Sequence, residues 1–411
     1  MLSKMLSFRR MSMPRSGQHF VQIPGPTNIP ERVLRAMDRQ IIDHRGPEFA
    51  ALTLEILPGM RELVKTKHGH VVIYPSSGTG AWEAAVSNVL SPGERVLVAE
   101  TGQFSAQWAE LTSRLGIHVD VIPGDWRTGA DPEEIARRLS ADPKHDIRAV
   151  MVVHNETSTG VLSRIAEIRA AIDRAGHPAL FLVDTVSSLA SVDYRHDEWG
   201  VDVMVCGSQK GLMLPPGLGI NVVSQKALDA SKRSRFPRSY FDWAPIIGAN
   251  ADGFFPYTPP TLLMFGLRES LAVLREEGHA AVFARHARLA EATRQAVHGW
   301  GLEILARDPR EYSNTLTAVV VPDGVDADRV RRTILDRFDI SLGVGLGKVK
   351  GRVFRIGHLG SLNDVMLAGV LCGVEMGLRA TGIPVGEGVA AALRYLVAPE
   401  SLPLARTPAL A

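Results

Sequence analysis

From about residue 70 onward, short apolar runs alternate with stretches in which apolar positions recur every three or four residues. The runs "HVVIYP", "RVLVAE", "HVDVIP", "IRAVMVVHNE", "ALFLVDTVSS", "VDVMVC" and "GINVV" predict strands. Most lack polar alternation, which suits strands covered on both faces. Between them, "AWEAAVSNVL", "SAQWAELTSRLG" and "DPEEIARRL" predict helices, the last opening with an Asp-Pro start. Alternation of this kind is the pattern of a largely parallel sheet wrapped by helices.

Beyond about residue 280 the texture changes. A long Ala/Arg/His-rich helix, "VFARHARLAEATRQAVHGWG", leads to strand-like "NTLTAVVVP", helix "ADRVRRTILDRF", strand-like "VFRIGHL" and a final apolar helix. The expected layout is an N-terminal arm over 1–20, a large α/β domain over 21–280 and a smaller α+β domain over 281–411. No internal repeat is visible. The closing "PESLPLARTPALA" is Pro/Ala-rich and expected to be loosely held.

Composition narrows the function classes. Hydrophobic residues at 45% and charged residues at 22% fit an ordinary globular protein, and a net charge of +2 gives no reason to expect nucleic acid. The basic run Lys232, Arg233, Arg235 and Arg238 reads as a solvated face, preferred over a phosphate-side surface. Cys206 and Cys372 both sit in apolar runs and are expected as buried thiols of a reducing, cytoplasmic compartment. No zinc-type spacing exists, and His68 and His70 without further ligands make no metal site. "VMLAGVLCGV" is too short to span a bilayer. The first twenty residues carry Lys4, Arg9, Arg10 and Arg15 and no acid, which fits a transit peptide or, as preferred here, an arm.

In open α/β sheets ligands bind beyond the carboxyl ends of the strands. At one such end "SSGTG" (Ser76 to Gly80) opens a helix, either as a phosphate cradle or as an ordinary serine-capped turn. It lacks the dinucleotide and Walker spacings. At another, Asp184 closes a hydrophobic strand with no basic neighbour in sequence, which leaves a ligand cation as a partner. At a third, Asn155, Glu156, Thr157, Ser158 and Thr159 cluster, as helix caps or as ligand-facing groups.

Lys210, in "VCGSQKGLMLPPGLG", lies past a fourth strand in dry surroundings. It reads as an anion binder, an amine nucleophile of depressed pKa, or a snorkelling surface lysine. Cradle, carboxylate, hydroxyl and lysine together match the needs of pyridoxal 5'-phosphate, with Phe104 in "ETGQFSAQW" supplying an aromatic face.

These residues resemble the class V aminotransferases of pyridoxal-phosphate fold type I. The wording is closest to serine–glyoxylate and alanine–glyoxylate members. The resemblance runs from "PGPTNIP" to "RIGHLG" through "SSGTGAWEAA", "ETSTGV", "LVDTVSSL" and "GSQKGLMLPPGLG". It implies Lys210 as the Schiff-base lysine and Asp184 as partner of the pyridinium nitrogen. Ser77, Gly78, Thr79 and Gln209 would hold the phosphate, and Phe104 and Val186 would pack on the ring. Thr157 would bond the phenolic oxygen, and Arg355, with Gly25, would bind the substrate, the guanidinium gripping its carboxylate bidentately.

Tyr257 and Thr258 would reach the phosphate of a neighbouring subunit, implying a homodimer with shared sites. The implied reaction moves an amino group from serine, or alanine, to glyoxylate. Alanine-preferring relatives carry tryptophan in place of Phe104 and histidine in place of Thr79, and Thr157 replaces a serine. Aspartate– and ureidoglycine–glyoxylate aminotransferases are the nearest alternatives, and a Rossmann-type nucleotide-binding module the alternative from another class. A cysteine desulfurase is disfavoured, because neither cysteine is placed as a mobile nucleophile.

Overall fold

The computed structural model describes residues 17–399. The basic stretch through residue 16 and the end of the Pro/Ala-rich tail, 400–411, lie outside the described residues. Among the described residues, fourteen strands build two main sheets and a short ribbon. They are β1 (Phe20–Gln22), β2 (His70–Pro75), β3 (Arg95–Ala99), β4 (His118–Ile122), β5 (Ile147–Val153), β6 (Asn155–Glu156) and β7 (Val161–Leu162). They continue as β8 (Leu180–Asp184), β9 (Val203–Gly207), β10 (Leu218–Val223), β11 (Glu303–Ile304), β12 (Leu316–Val320), β13 (Ile340–Val344) and β14 (Val353–Gly357).

The large sheet runs β2-β10-β9-β8-β5-β3-β4. The pairs β3–β4, β3–β5, β5–β8 and β8–β9 are parallel, and β10 runs against both of its neighbours. The unbroken apolar runs are explained by burial on both faces. In β2, Val71 and Ile73 join the core on one side while Val72 and Tyr74 join the core on the other. In β9 the same division separates Met204 and Cys206 from Val203 and Val205. Helices that include Pro47–Leu63 and Thr261–Glu277 cover the first face, and Gly78–Val89 covers the second.

The second sheet runs β1-β13-β14-β12-β11 and is antiparallel except for the pair β1–β13. Its core is filled from the helices His279–Gly299, Ala327–Phe338, Asp364–Ala380 and Gly388–Val397. The N-terminal strand thus pairs Phe20 with Ile340, far along the chain. From that strand the chain passes directly to the carboxyl edge of the large sheet, where Thr27 N donates to Gln209 O at 3.1 Å. Cys206 is buried, but Cys372 is exposed, against expectation. It sits on the outward face of its helix, whose neighbours Leu371 and Val374 face the core. Among the described residues, no helix is long and apolar enough to cross a membrane.

Candidate active site

Because β2, β3, β5, β8 and β9 point the same way, their carboxyl ends and following turns share one edge. A cavity of about 260 Å³ opens there, lined by Gly25, Ser77, Gly78, Thr79, Phe104, Thr157, Asp184, Val186, Gln209 and Lys210. All ten were singled out from the sequence. Asn155, from the polar cluster at the end of β5, joins them, and Trp82, Pro26, Val153 and Pro216, which had no site role in the sequence reading, complete the wall.

Lys210 is only 7% exposed, and its Nζ donates to the carbonyl oxygen of Pro24. Burial, with the Arg355 guanidinium adding to it, pulls its pKa down to about 7, against the opposing pull of Asp184 and Glu156. A neutral amine is therefore accessible near neutral pH. Asp184, the last residue of β8, is 3% exposed. Burial drives its pKa up to about 7, although two donors favour the ionised form: Val186 N to Oδ1 at 2.6 Å and Trp82 Nε1 to Oδ2 at 2.8 Å. Among the described residues, neither Lys210 nor Asp184 belongs to a salt bridge within 4.0 Å.

The helix Gly78–Val89 starts at the cavity, three residues earlier than its apolar pattern indicated, with the Ser77 side chain accepting from Gly80 N at 3.3 Å. Its first N–H groups and positive dipole end face the site. A Cβ built on Gly207 would stand 2.8 Å from Gln209 Oε1 and 3.3 Å from Gly78 N, so the carboxamide and the helix start converge there. Gln209 Oε1 is buried without a hydrogen-bond partner. Gly78 has no room for a side chain, since its Cβ would lie 2.8 Å from Val186 Cγ2.

Arg355, on β14 of the second sheet, is 6% exposed and donates from Nε to Val344 O at 2.8 Å and from Nη1 to Thr157 O at 2.5 Å. Burial lowers its pKa to about 10, which leaves it charged at neutral pH. It adjoins the cavity through Thr157 and does not line it. The Thr157 hydroxyl is bonded to that of Ser187. Tyr257 and Thr258 do not line the cavity: Tyr257 stacks on Tyr240 at 4.6 Å, and Thr258 is exposed.

Glu156, in sequence one member of a polar cluster, organises the site's rim. Fully buried, it accepts from Phe104 N at 3.3 Å, Ser105 N at 3.1 Å, Ser158 N at 3.0 Å and Ser158 Oγ at 2.7 Å. A carboxylate at the start of the helix Gln103–Arg114 is stabilised by that helix and in turn fixes Phe104. Local pattern could show only the Ser158 contact, two positions away; the Phe104 and Ser105 partners lie some fifty positions earlier. Trp82 did carry a legible signal: it follows Gly78 by four residues and so shares its helix face.

The donor set fits pyridoxal phosphate: a near-neutral lysine, a buried carboxylate free of a cationic residue, and a helix start with an unpartnered carboxamide. No group of His, Cys, Asp and Glu among the described residues could hold a metal ion.

Comparison with known proteins agrees with this chemistry. A family model described as aminotransferase class V matches residues 19–350. A serine–glyoxylate aminotransferase of Methylorubrum extorquens is 50% identical over 93% of this chain and 97% of its own length. An L-aspartate–glyoxylate aminotransferase of Paracoccus denitrificans is 46% identical over 92% of this chain and 96% of its own. The crystal structure of the Bacillus subtilis ureidoglycine–glyoxylate aminotransferase is similar, with a TM-score of 0.85 at 27% identity, over 93% of this chain and 99% of that one.

Proposed function

The chain belongs to the class V aminotransferases, and from that premise we propose that it transfers the amino group of serine to glyoxylate, giving glycine and a 2-oxo acid. Pyridoxal phosphate would be held by Ser77, Gly78, Thr79 and Gln209 at its phosphate, by Phe104 and Val186 at its ring, and by Asp184 at its ring nitrogen. When bound, it supplies an aldehyde that takes up the donor's nitrogen and a ring that draws off the electron pair left at Cα.

The residues of this chain do the rest. Lys210, with its pKa brought down to about 7, is the covalent anchor, and once released it is a neutral base able to take the Cα proton and return it. Arg355 is charged at neutral pH and offers a planar fork to the substrate carboxylate, which orients the amino acid over the ring. Gly25 leaves the space in which substrate and lysine meet. Asp184 in its carboxylate form keeps a proton on the ring nitrogen. Phe104 and Val186 supply apolar surface that excludes water from the reacting bonds. Tyr257 and Thr258, which do not line this chain's own cavity, fit the reading that each subunit of a homodimer completes its neighbour's phosphate site.

One observation carries the reaction type: Lys210 and Asp184 line the same small cavity, each buried and each without a salt-bridge partner among the described residues. The donor choice rests on the serine–glyoxylate relatives. Aspartate is the second reading, favoured by the relative that bears that name. The test is a donor panel with glyoxylate as acceptor, scoring glycine. Serine is expected to give the largest kcat/KM. No glycine from any donor, or preference for a bulky aromatic donor, would overturn the assignment.

A further inference from the structure

We propose that Trp82 is a positioning residue for the ring nitrogen's partner: its indole N–H holds the Asp184 carboxylate in place and keeps it in the anionic form that leaves the shared proton on the ring. The inference rests on the cofactor reading above.

The geometry is specific. Both Asp184 oxygens already accept a hydrogen bond, Oδ1 from Val186 N at 2.6 Å and Oδ2 from Trp82 Nε1 at 2.8 Å. Both donors are N–H groups that cannot accept in return. A serine, tyrosine or histidine at position 82 could reverse its role and stabilise a protonated carboxyl, whereas an indole cannot. A proton on Asp184 would therefore find no acceptor among these two contacts, and a basic ring nitrogen is where it is better placed.

The need is real, because the other influences are divided. Burial and the charge of Glu156 favour neutral Asp184, and Lys210 favours the anion. Cys206, near Asp184, has its thiol pushed up to about 12 by burial and remains neutral. Trp82 is itself held rigidly. It is 4% exposed and stacks on the buried Trp108 at 5.8 Å and 13°. Trp108 stands on the helix Gln103–Arg114 that also carries Phe104. Trp82 in turn stands on the helix whose first residues form the proposed phosphate cradle. One helix thus grips both ends of the proposed ligand.

The test uses wild-type, Trp82→Phe and Trp108→Phe proteins loaded with pyridoxal phosphate labelled with nitrogen-15 in the ring. In Trp82→Phe the ring nitrogen is expected to lose its proton about one pH unit lower than in wild type, a tenfold change in proton partition. The dissociation constant for pyridoxal phosphate should rise about tenfold. Trp108→Phe disturbs the same stack but keeps the indole-to-carboxylate bond, so its nitrogen shift should match wild type. An unchanged nitrogen-15 titration in Trp82→Phe, or an equal change in both variants, would overturn the proposal.

Should Trp82→Phe not fold, the wild-type protein decides. Its Trp82 indole N–H should be downfield, slow to exchange and sensitive to Asp184→Asn; an ordinary, fast-exchanging indole signal contradicts the proposal. Failure of wild type to take up pyridoxal phosphate would remove the cofactor reading itself, and this inference with it.

Discussion

Lys210 Nζ donates to the carbonyl oxygen of Pro24, so the amine at the carboxyl edge of the large sheet is held by the segment that has just left the second sheet. Thr27 reinforces the contact: its hydroxyl donates to Lys210 O at 3.1 Å. Between them Gly25 adopts φ +91°, and a Cβ there would stand 2.9 Å from Lys210 Cε and 3.0 Å from Nζ. Glycine is required on both counts, conformation and space. Gly25→Ala should displace the lysine amine while leaving the cores intact. A fall in kcat of about 100-fold is expected, with the far-ultraviolet circular dichroism spectrum unchanged. Near-normal turnover in this variant would show that the segment does not set the position of Lys210.

Arg355 reaches the site with its backbone contacts already made, to Val344 O and Thr157 O. Arg355→Lys keeps the charge and loses the fork. KM for both the amino donor and glyoxylate should rise by about 10- to 100-fold, the effect of one or two charge-assisted hydrogen bonds. Steady-state kinetics with both substrates varied will check this; a change confined to one substrate would argue against a common carboxylate clamp.

Glu156→Gln replaces an acceptor by a group that presents N–H to Phe104 N, Ser105 N or Ser158 N. A loss of about 2 kcal/mol in stability is expected from the unsatisfied donors, measurable by denaturant unfolding. Affinity for pyridoxal phosphate should fall as well, because Phe104 loses its anchor. Wild-type affinity in a destabilised variant would separate the two roles.

The paired shifts of Asp184 and Lys210 give a pH signature to protein freed of cofactor. The folded pKa of Asp184, about 7, lies above its unfolded value, so the folded state binds the extra proton and its contribution declines as pH rises from about 4 to 7. The folded pKa of Lys210, about 7, lies below its unfolded value, so the unfolded state binds the extra proton and stability recovers as pH rises from about 7 to 10.5. The pair is thus most costly near pH 7. Asp184→Asn should gain on wild type across the lower window, by on the order of 4 kcal/mol at most, and Lys210→Met should lose the upper slope. Melting temperatures across pH for the three proteins will show whether the differences follow these windows.

Much of this site could be read from the chain because its chemistry sits at strand ends, and strand ends are visible in an apolar pattern. Asp184 and Lys210 each follow an unbroken run, and Gly78 opens a helix after another. What could not be read depends on distant partners. The pairing of β1 with β13 joins Phe20 to Ile340 and brings Pro24 to the lysine, a connection that no local pattern records. The reversed direction of β10 escaped for a similar reason, since an apolar run carries no sign of its direction. Glu156 looked like a capping residue for the helix that follows it, yet it serves one some fifty residues earlier. Cys372 looked buried because its neighbours are apolar; the helix turns it outward.

The most direct measurement is reduction of the protein as purified with pyridoxal phosphate, using borohydride, followed by peptide mapping. A lasting mass addition of the reduced cofactor is expected on Lys210 alone, with loss of the visible absorption band, and neither in Lys210→Ala. Modification at another lysine, or a wild-type protein that takes up no pyridoxal phosphate, would contradict the assignment of this cavity as the catalytic centre.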